Sequence, residues 1–186
     1  MTKVCIFGAG AIGGYVGAKL AKAGEADISL VARGAHLDAM KATGLILTQG
    51  GETSTVRPKV TSDPRELGPQ DFIILTLKSH ALPGIVDALH PLIGPGSTVL
   101  FGQNGVPWWY FYKHGGRFDG RHLESVDPGG VLWNKIGPER ALSSTPDGVN
   151  RPQRRGRAES AHGPGGPEPT REATGPSLTA GGRSLR

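Results

Sequence analysis

Short apolar runs alternate with amphipathic stretches along residues 1–141. Residues 4–7 are uninterrupted apolar sequence, which is typical of a strand buried on both faces. A helix is predicted next, over residues 11–23, and a second strand over residues 27–31. The strongest central-strand signals come later, at residues 71–77 and 98–101. Strands and helices therefore alternate, and this order is typical of an α/β fold.

The pattern is weaker between the second strand and the third strong apolar run. Residues 36–43 predict a short helix that is ended by Gly44. Residues 45–48 and 53–60 alternate apolar or β-branched side chains with polar ones and predict two strands. Because Pro58 has no amide hydrogen to donate, we expect the second of these strands at a sheet edge or a bulge.

The remaining elements are predicted from turn residues and helical spacing. Residues 62–64 (Ser-Asp-Pro) read as the cap and first position of a short helical turn. Residues 79–92 place apolar residues on one helical face, residues 94–96 predict a turn, and residues 129–140 predict a further helix or strand. We therefore expect a Rossmann-type, doubly wound parallel sheet in which the carboxyl ends of the strands share one edge.

A G-x-G-x-x-G motif lies where the first strand should become the first helix. Gly8 permits the tight turn, Gly10 lets the backbone approach a pyrophosphate, and Gly13 lets the helix pack against the strand. A purely structural turn is the alternative, since the chain contains 30 glycines. The strand before the motif and the helix after it favour dinucleotide binding, with the phosphate at the helix N-terminus. The predicted cofactor contacts in this turn are Gly8, Ala9, Gly10, Ala11, Ile12 and Gly13.

Arg33 follows the second predicted strand, about 20 residues beyond the glycine turn. An NAD site usually has an acidic residue there, whereas an arginine accommodates the 2′-phosphate of NADP. Asp27 lies at the other end of the strand and does not replace that acidic residue. Arg33 therefore predicts NADP(H) as the cofactor, with an ordinary exposed loop arginine as the alternative.

Lys78 and Asn104 each follow a strongly apolar strand. Such positions face the nicotinamide end of a bound dinucleotide, where an ammonium and a carboxamide can orient a carboxylate or a carbonyl. We take both as candidate cofactor-binding and substrate-binding residues. A surface lysine and an asparagine turn remain the alternatives.

The composition changes sharply near residue 142. The sequence beyond it contains no aromatic residue and no lysine, few aliphatics, and repeated Gly, Pro, Arg, Ser and Thr. We expect residues 1–141 to form the dinucleotide-binding domain and residues 142–186 to be a disordered low-complexity tail. The net charge of +5 divides into +2 for residues 1–141 and +3 for the rest. The basic balance reflects the tail as much as the domain, so it predicts no nucleic-acid partner.

The sequence disfavours a metal site, a secreted location and a membrane-spanning segment. Cys5, the only cysteine, lies inside the first predicted strand, and the six histidines have no metal-ligand spacing, so we expect no metal. No signal peptide or membrane-spanning run is visible, which predicts a cytoplasmic protein with no membrane partner. Residues 108–112 (W-W-Y-F-Y) either line a substrate pocket or pack against a neighbouring domain.

Four segments together resemble one family, the ketopantoate reductases (2-dehydropantoate 2-reductases). They are K-V-C-I-F-G-A-G-A-I-G-G-Y from Lys3, L-V-A-R-G-A-H-L from Leu30, T-L-K-S at residues 76–79 and G-Q-N-G-V at residues 102–106. The resemblance implies NADPH-dependent reduction of a 2-oxo acid to a 2-hydroxy acid on the route to pantothenate. It also implies that the glycine turn holds the pyrophosphate, Arg33 the 2′-phosphate, and Lys78 and Asn104 the groups near the nicotinamide.

The sequence departs from that family in two places. The P-W-W-Y-F wording at residues 107–111 differs from the commonest form, which leaves another 2-oxo acid open as the substrate. The family continues into a helical domain that carries the proton-donating lysine, whereas no lysine follows Lys135 here, so the catalytic acid is unassigned. This break suggests a truncated or frameshifted reading frame with impaired turnover. The alternative function is a non-catalytic NADP-binding fragment, and the oligomeric state is left open.

Overall fold

A six-stranded parallel sheet organises residues 1–143, which are the residues described by this computed structural model. The strands are β1 (Thr2–Phe7), β2 (Ala26–Val31), β3 (Leu45–Gln49), β4 (Glu52–Val56), β5 (Lys59–Thr61), β6 (Gln70–Leu75), β7 (Ile93–Phe101) and β8 (Ala141–Ser143). The helices are α1 (Ala11–Ala23), α2 (Gly34–Thr43), α3 (Leu82–Leu89) and α4 (Val131–Lys135). The main sheet has the order β5-β2-β1-β6-β7-β8 with every pair parallel. The predicted doubly wound Rossmann-type sheet is thus confirmed.

Alternation of side chains along the strands builds a core on each face of the sheet. Ile6 and Leu30 point to the face covered by α1 and α2 and are fully buried. Cys5 and Ile73 point to the opposite face, where α3 and α4 pack, and they are equally buried. The strands are buried on both faces because helices lie on both sides, which explains their uninterrupted apolar sequence.

The predicted strand over residues 53–60 is two strands in different sheets. β4 pairs antiparallel with β3 in a separate hairpin, while β5 joins the edge of the main sheet beside β2. Pro58 separates them, since its missing amide hydrogen cannot contribute to a ladder. The single-strand prediction was therefore wrong, although proline did mark an edge.

The helix predicted over residues 79–92 is also interrupted. Only Leu82–Leu89 is α-helical, and the flanking segments Ser79–Ala81 and His90–Leu92 are short 3₁₀ turns. Pro83 occupies the first helical turn, and Pro91 follows the last one, where it cannot continue the α-helical bonding. The predicted buried face is retained, because Leu82, Val86 and Leu89 are buried.

One prediction near β7 also differs from the structure. The predicted turn at residues 94–96 lies inside β7, where the pairing register with β6 shifts between Gln70 and Phe72. Ser97 stabilises this irregularity, since its hydroxyl accepts a hydrogen bond from the Gly94 amide at 2.7 Å and donates to the Gln70 carbonyl.

The sequence pattern does not predict the last strand, β8. β8 begins at Ala141, the final residue of the predicted domain, and pairs with β7 through Val99. The rest of the predicted low-complexity tail, from residue 144, lies outside the described residues. No helix within residues 1–143 has the length and apolar character needed to cross a bilayer.

Candidate dinucleotide and substrate site

The glycine turn joins β1 to α1 through unusually close backbone contacts. Gly8 has a φ of +106°, a conformation that side chains disfavour, and its amide donates to the Val31 carbonyl at 3.1 Å. A Cβ atom at Gly13 would lie 2.1 Å from the Gly8 carbonyl oxygen. Gly8 and Gly13 are therefore required by the fold itself, independently of any ligand.

Gly10 is different, because no protein atom would contact a Cβ placed there. It is exposed, has an ordinary φ of −72°, and forms the N-cap of α1 without any side-chain cap. The first turn of α1 holds no acidic side chain, and its leading amides have no intrahelical partners. This open cradle at a positive helix end has the shape and charge that a pyrophosphate requires, so the chain fits a dinucleotide here.

The other predicted cofactor contacts in this turn, Ala9, Ala11 and Ile12, differ in how far they are exposed to solvent. Ala9 is 5% exposed and belongs to the core, so only its backbone is available to a ligand. Ala11 and Ile12 are exposed on the first turn of α1, and the Ile12 side chain is 61% exposed. An aliphatic side chain this open beside the cradle is available for contact with a bound molecule.

Thr76 supports the turn from beneath, a role that the sequence pattern does not assign to it. Its hydroxyl donates to the Gly8 carbonyl, and its amide donates to the Phe7 carbonyl at 3.2 Å. A Cβ atom at Gly13 would also approach the Thr76 hydroxyl to 2.5 Å. Thr76 thus ties the end of β6 to the glycine turn, and its sequence signals are its position directly after a central strand and its place in the T-L-K-S segment.

Arg33 lies just beyond the carboxyl end of β2, next to the glycine turn in the sheet order. It is exposed, it is the N-cap residue of α2, and no ion pair within residues 1–143 involves it. The first turn of α2 contains no acidic residue. Among the described residues at the carboxyl end of β2 and in the first turn of α2, there is therefore a guanidinium group and no carboxylate.

Lys78 and Asn104 lie beyond the carboxyl ends of β6 and β7, which are adjacent in the sheet. Both side chains are exposed. Gln103 joins the two loops, since its Nε2 donates to the Leu77 carbonyl at 2.7 Å. Parallel strands therefore bring the glycine turn, Arg33, Lys78 and Asn104 to one edge of the sheet, as their positions after strands predict.

A cavity of about 470 Å³ opens beside Asn104. It lies between the turn that follows β6, the loop that follows β7, and the segment before α4. The aromatic part of its wall is Phe101, Trp108 and Trp109. Among the described residues that line it there is no Asp, Glu, Lys or Arg, and His80 is the one residue with a titratable ring.

The paired tryptophans are both core residues and cavity wall. Trp108 and Trp109 are each 3% exposed, and their rings meet edge to face with centroids 5.0 Å apart. Phe101, at the end of β7, packs against both of them. The indole nitrogen of Trp108 is buried without a hydrogen-bond partner among the described residues. Trp108 and Trp109 therefore pack in the core of the described residues and also line the cavity, whereas Tyr110, Phe111 and Tyr112 of the same segment are not in its lining.

Asp127 anchors the segment before α4, in which its neighbours Val126 and Pro128 line this cavity. It is 1% exposed, and its two carboxylate oxygens accept from the amides of Leu132 at 2.9 Å and Trp133 at 3.0 Å. The carboxylate thus satisfies the open amides at the start of α4. Within residues 1–143, no group of three or more His, Cys, Asp or Glu side chains is placed to hold a metal ion.

Comparison with known proteins agrees with the motifs at this edge. A family model described as "Ketopantoate reductase PanE/ApbA" matches residues 4–107. A 2-dehydropantoate 2-reductase from Mesorhizobium japonicum is 51% identical over 142 residues, covering 76% of this chain and 44% of that protein. The chain thus spans less than half the length of this relative.

Solved structures of two reductases or dehydrogenases also superpose on this chain. A candidate ketopantoate reductase from Ralstonia solanacearum superposes with a TM-score of 0.71 and 45% identity, covering 77% of this chain and 44% of its own. A D-mandelate dehydrogenase solved with NADH and anilino(oxo)acetate gives a TM-score of 0.52 and 26% identity, covering 57% of this chain and 35% of its own.

Proposed function

The chain belongs to the ketopantoate reductase PanE/ApbA family, and on that premise we propose that it binds NADPH for the reduction of a 2-oxo acid, with 2-dehydropantoate as the family substrate. This family consists of oxidoreductases that use NAD(P)H. Family membership establishes the oxidoreductase class. We propose in addition the preference for NADPH over NADH, the identity of the substrate and turnover by this chain. The observation that carries the proposal is the open cradle at Gly10, which no protein atom fills.

The proposed cofactor contacts follow the edge of the sheet. The backbone of residues 8–13 and the N-terminus of α1 hold the pyrophosphate, because free amides and the helix dipole attract negative charge. Arg33 pairs with the 2′-phosphate, and its planar guanidinium suits bidentate contact with phosphate oxygens. The absence of an acidic residue in the first turn of α2 supports NADPH over NADH, since a carboxylate there would repel that phosphate.

The substrate contacts are proposed at the next two strand ends. The Lys78 ammonium offsets the negative charge of the substrate carboxylate, and the Asn104 carboxamide donates to the carbonyl or the carboxylate. When bound, NADPH supplies a hydride for the carbonyl carbon, and a proton on the carbonyl oxygen completes the 2-hydroxy acid. Lys78 and Asn104 orient the carbonyl for that transfer, and neither is assigned as the proton donor.

Nucleotide binding without turnover is the second candidate function. Every site residue proposed here holds or orients a ligand, and none of them supplies the proton that completes the reaction. The two candidates therefore share the cofactor site and differ only in catalysis.

A titration of the purified chain with NADPH and separately with NADH tests the proposal. Tryptophan fluorescence is a suitable readout because Trp108 and Trp109 lie in the cavity wall beside Asn104. We expect saturable quenching with a lower Kd for NADPH. Equal weak response to both nucleotides would contradict the cofactor assignment. Adding 2-dehydropantoate and following NADPH absorbance then separates reduction from binding alone.

A further inference from the structure

We propose that Gln103 is a positioning residue for the substrate end of the site: its carboxamide holds the Leu77 carbonyl and thereby fixes Lys78, the next residue, beside Asn104. This inference rests on the proposed function, because it takes Lys78 and Asn104 to orient the 2-oxo acid. It concerns a residue to which the proposed function assigns no contact with cofactor or substrate.

The hydrogen bond of Gln103 takes the place of a rung in the parallel ladder. The last backbone rung between β6 and β7 runs from the Gly102 amide to the Leu75 carbonyl, at 2.8 Å. In a parallel ladder the next carbonyl on that side, that of Leu77, would accept from the Asn104 amide. The Gln103 Nε2 donates to it instead, at 2.7 Å. A side chain thus replaces the backbone donor and joins the two loops beyond the ends of the strands.

Leu77 is well placed to transmit this restraint. A Cβ atom at Gly8 would lie 2.7 Å from the Leu77 Cδ2 atom, so the Leu77 side chain packs directly against the glycine turn. The same side chain also packs against the core that contains α3 and α4. With its side chain packed and its carbonyl bonded, Leu77 leaves the backbone that enters Lys78 little freedom.

Lys78 has few other restraints. Its side chain is exposed, and no ion pair within residues 1–143 involves it. Its carbonyl accepts from the Ala81 amide at 2.9 Å, in the short 3₁₀ turn Ser79–Ala81. A lysine ammonium lies on a flexible four-carbon stem, so the backbone at its root decides which region it can reach. The Gln103 bond restrains that backbone immediately before Lys78.

Two substitutions separate hydrogen bonding from space filling. Gln103→Met keeps an unbranched side chain of similar length and removes the donor, whereas Gln103→Glu keeps the shape and puts an oxygen opposite the Leu77 carbonyl. Loss of the bond should let the Lys78 segment open about fivefold more often, the ratio equivalent to one net hydrogen bond. Glutamate should be at least as harmful at pH 8, because its carboxylate repels the carbonyl oxygen. A Gln103→Glu protein that behaves as the unsubstituted chain would overturn the inference.

Amide hydrogen exchange without ligand measures that opening. The Ala81 amide reports on it directly, since its acceptor is the Lys78 carbonyl. We expect its exchange to be about fivefold faster in both Gln103 variants, because this amide exchanges by local opening of its own segment. Unchanged exchange at Ala81 would show that Gln103 does not restrain Lys78, and the inference would be wrong.

Gln70→Met is the matched control. The Gln70 Nε2 likewise donates to backbone carbonyls, those of Leu67 at 3.1 Å and Gly68 at 3.0 Å, but at the amino end of β6. Its loss should lower the free energy of unfolding without changing exchange at Ala81. Equally faster exchange at Ala81 in Gln70→Met would reveal a general loss of stability and would contradict a specific role for Gln103.

Binding of 2-dehydropantoate to the NADPH complex, followed by calorimetry, tests the consequence for the site. We expect its Kd to rise about fivefold or more in both Gln103 variants. The Kd for NADPH should change less, because the proposed phosphate contacts at residues 8–13 and at Arg33 do not depend on Lys78. Gln70→Met should leave both Kd values unchanged. Faster exchange at Ala81 with an unaltered Kd for 2-dehydropantoate would overturn the positioning role.

The two proposals fail separately. Absence of NADPH binding by the unsubstituted chain counts against the proposed function alone, because exchange at Ala81 is measured without ligand and still decides whether Gln103 restrains Lys78. NADPH binding that is retained while exchange at Ala81 ignores both Gln103 variants overturns the inference and leaves the proposed function in place.

Discussion

The carbonyl oxygen of Gly8 lies where a Cβ atom at Gly13 would come within 2.1 Å of it. The same oxygen accepts the hydroxyl hydrogen bond of Thr76 from the adjacent strand. Three segments, the ends of β1 and β6 and the start of α1, therefore meet at one backbone oxygen. Gly10, two residues along from Gly8, has no such neighbour, and this contrast separates the structural glycines from the one that we propose contacts the pyrophosphate.

Gly13→Ala should destabilise the fold. The new methyl would overlap the Gly8 carbonyl, and backbone atoms cannot move aside as a flexible side chain can. We expect the free energy of unfolding to fall by about 2 kcal/mol or more, which is in the range of overpacked sites. Urea unfolding followed by circular dichroism measures this. An unchanged midpoint would contradict the close approach of α1 to β1.

Gly10→Ala should leave stability intact and weaken the cofactor. Its methyl would point into open space, so we expect the free energy of unfolding to change by less than about 0.5 kcal/mol. It would occupy the cradle proposed for the pyrophosphate, and we expect the Kd for NADPH to rise about tenfold or more, equivalent to about 1.4 kcal/mol. Unaltered NADPH affinity would place the nucleotide elsewhere.

Arg33→Ser should change which nucleotide the chain prefers. Loss of a charged hydrogen bond to phosphate costs about 1.5–3 kcal/mol, so the Kd for NADPH should rise roughly tenfold to a hundredfold while that for NADH stays nearly constant. Arg57→Ser is the control. Arg57 is also exposed, but it precedes β5 and so lies at the amino-terminal ends of the strands, away from the glycine turn. A parallel loss of NADH binding would argue against a 2′-phosphate contact.

Cys5 should make stability depend on alkaline pH. Burial raises the pKa of its thiol from 9.0 to about 12. The folded state keeps the proton while the unfolded state loses it above pH 9, so stability falls as pH rises from about 9 to about 12 and is fully present below pH 9. The slope can reach about 1.4 kcal/mol per pH unit.

Urea unfolding at pH 8, 9 and 10 measures that slope, and a Cys5→Ala variant provides the reference. The difference between the two proteins isolates the thiol from the other groups that titrate at alkaline pH. We also expect the thiol to react with iodoacetamide at pH 8 only as fast as the chain unfolds. Rapid alkylation of the folded protein would show that the thiol is not buried.

Asp127→Ala should cost about 2 kcal/mol of unfolding free energy. It removes two hydrogen bonds to the start of α4 and leaves the amide of Leu132 buried without a partner. Glu124→Ala is the matched control from the same segment, because Glu124 is exposed and accepts one hydrogen bond, from the Gly129 amide. Equal losses in the two variants would mean that burial of Asp127 contributes nothing.

Local sequence determined the parts of the fold whose causes are local. The first strand, the glycine turn and the first helix were all predicted, because an uninterrupted apolar run, a φ above zero at Gly8 and helical spacing each act over a few residues. Placement of Arg33, Lys78 and Asn104 at one edge followed from the rule that successive parallel strands end together. Their contacts with cofactor and substrate remain predictions.

The sequence-based predictions were wrong where a strand is defined by pairing with residues distant in the chain. Residues 53–60 have β-branched side chains on both sides of Pro58, and only pairing with β3 on one side and with β2 on the other divides them. β8 is three residues long, too short for any periodicity to be visible, and its identity as a strand comes from its pairing with β7.

The sequence by itself determined the family, the α/β order and the chemistry available at the strand ends. Only the tertiary structure decided that Thr76 supports Gly8 across a separation of 68 residues and that Phe101, Trp108 and Trp109 line a cavity beside Asn104. The physical reason is the range of the interactions. Turn conformation, capping and amphipathic spacing are encoded within a few residues, whereas a packed cavity wall depends on which strands become neighbours, and no local pattern specifies that.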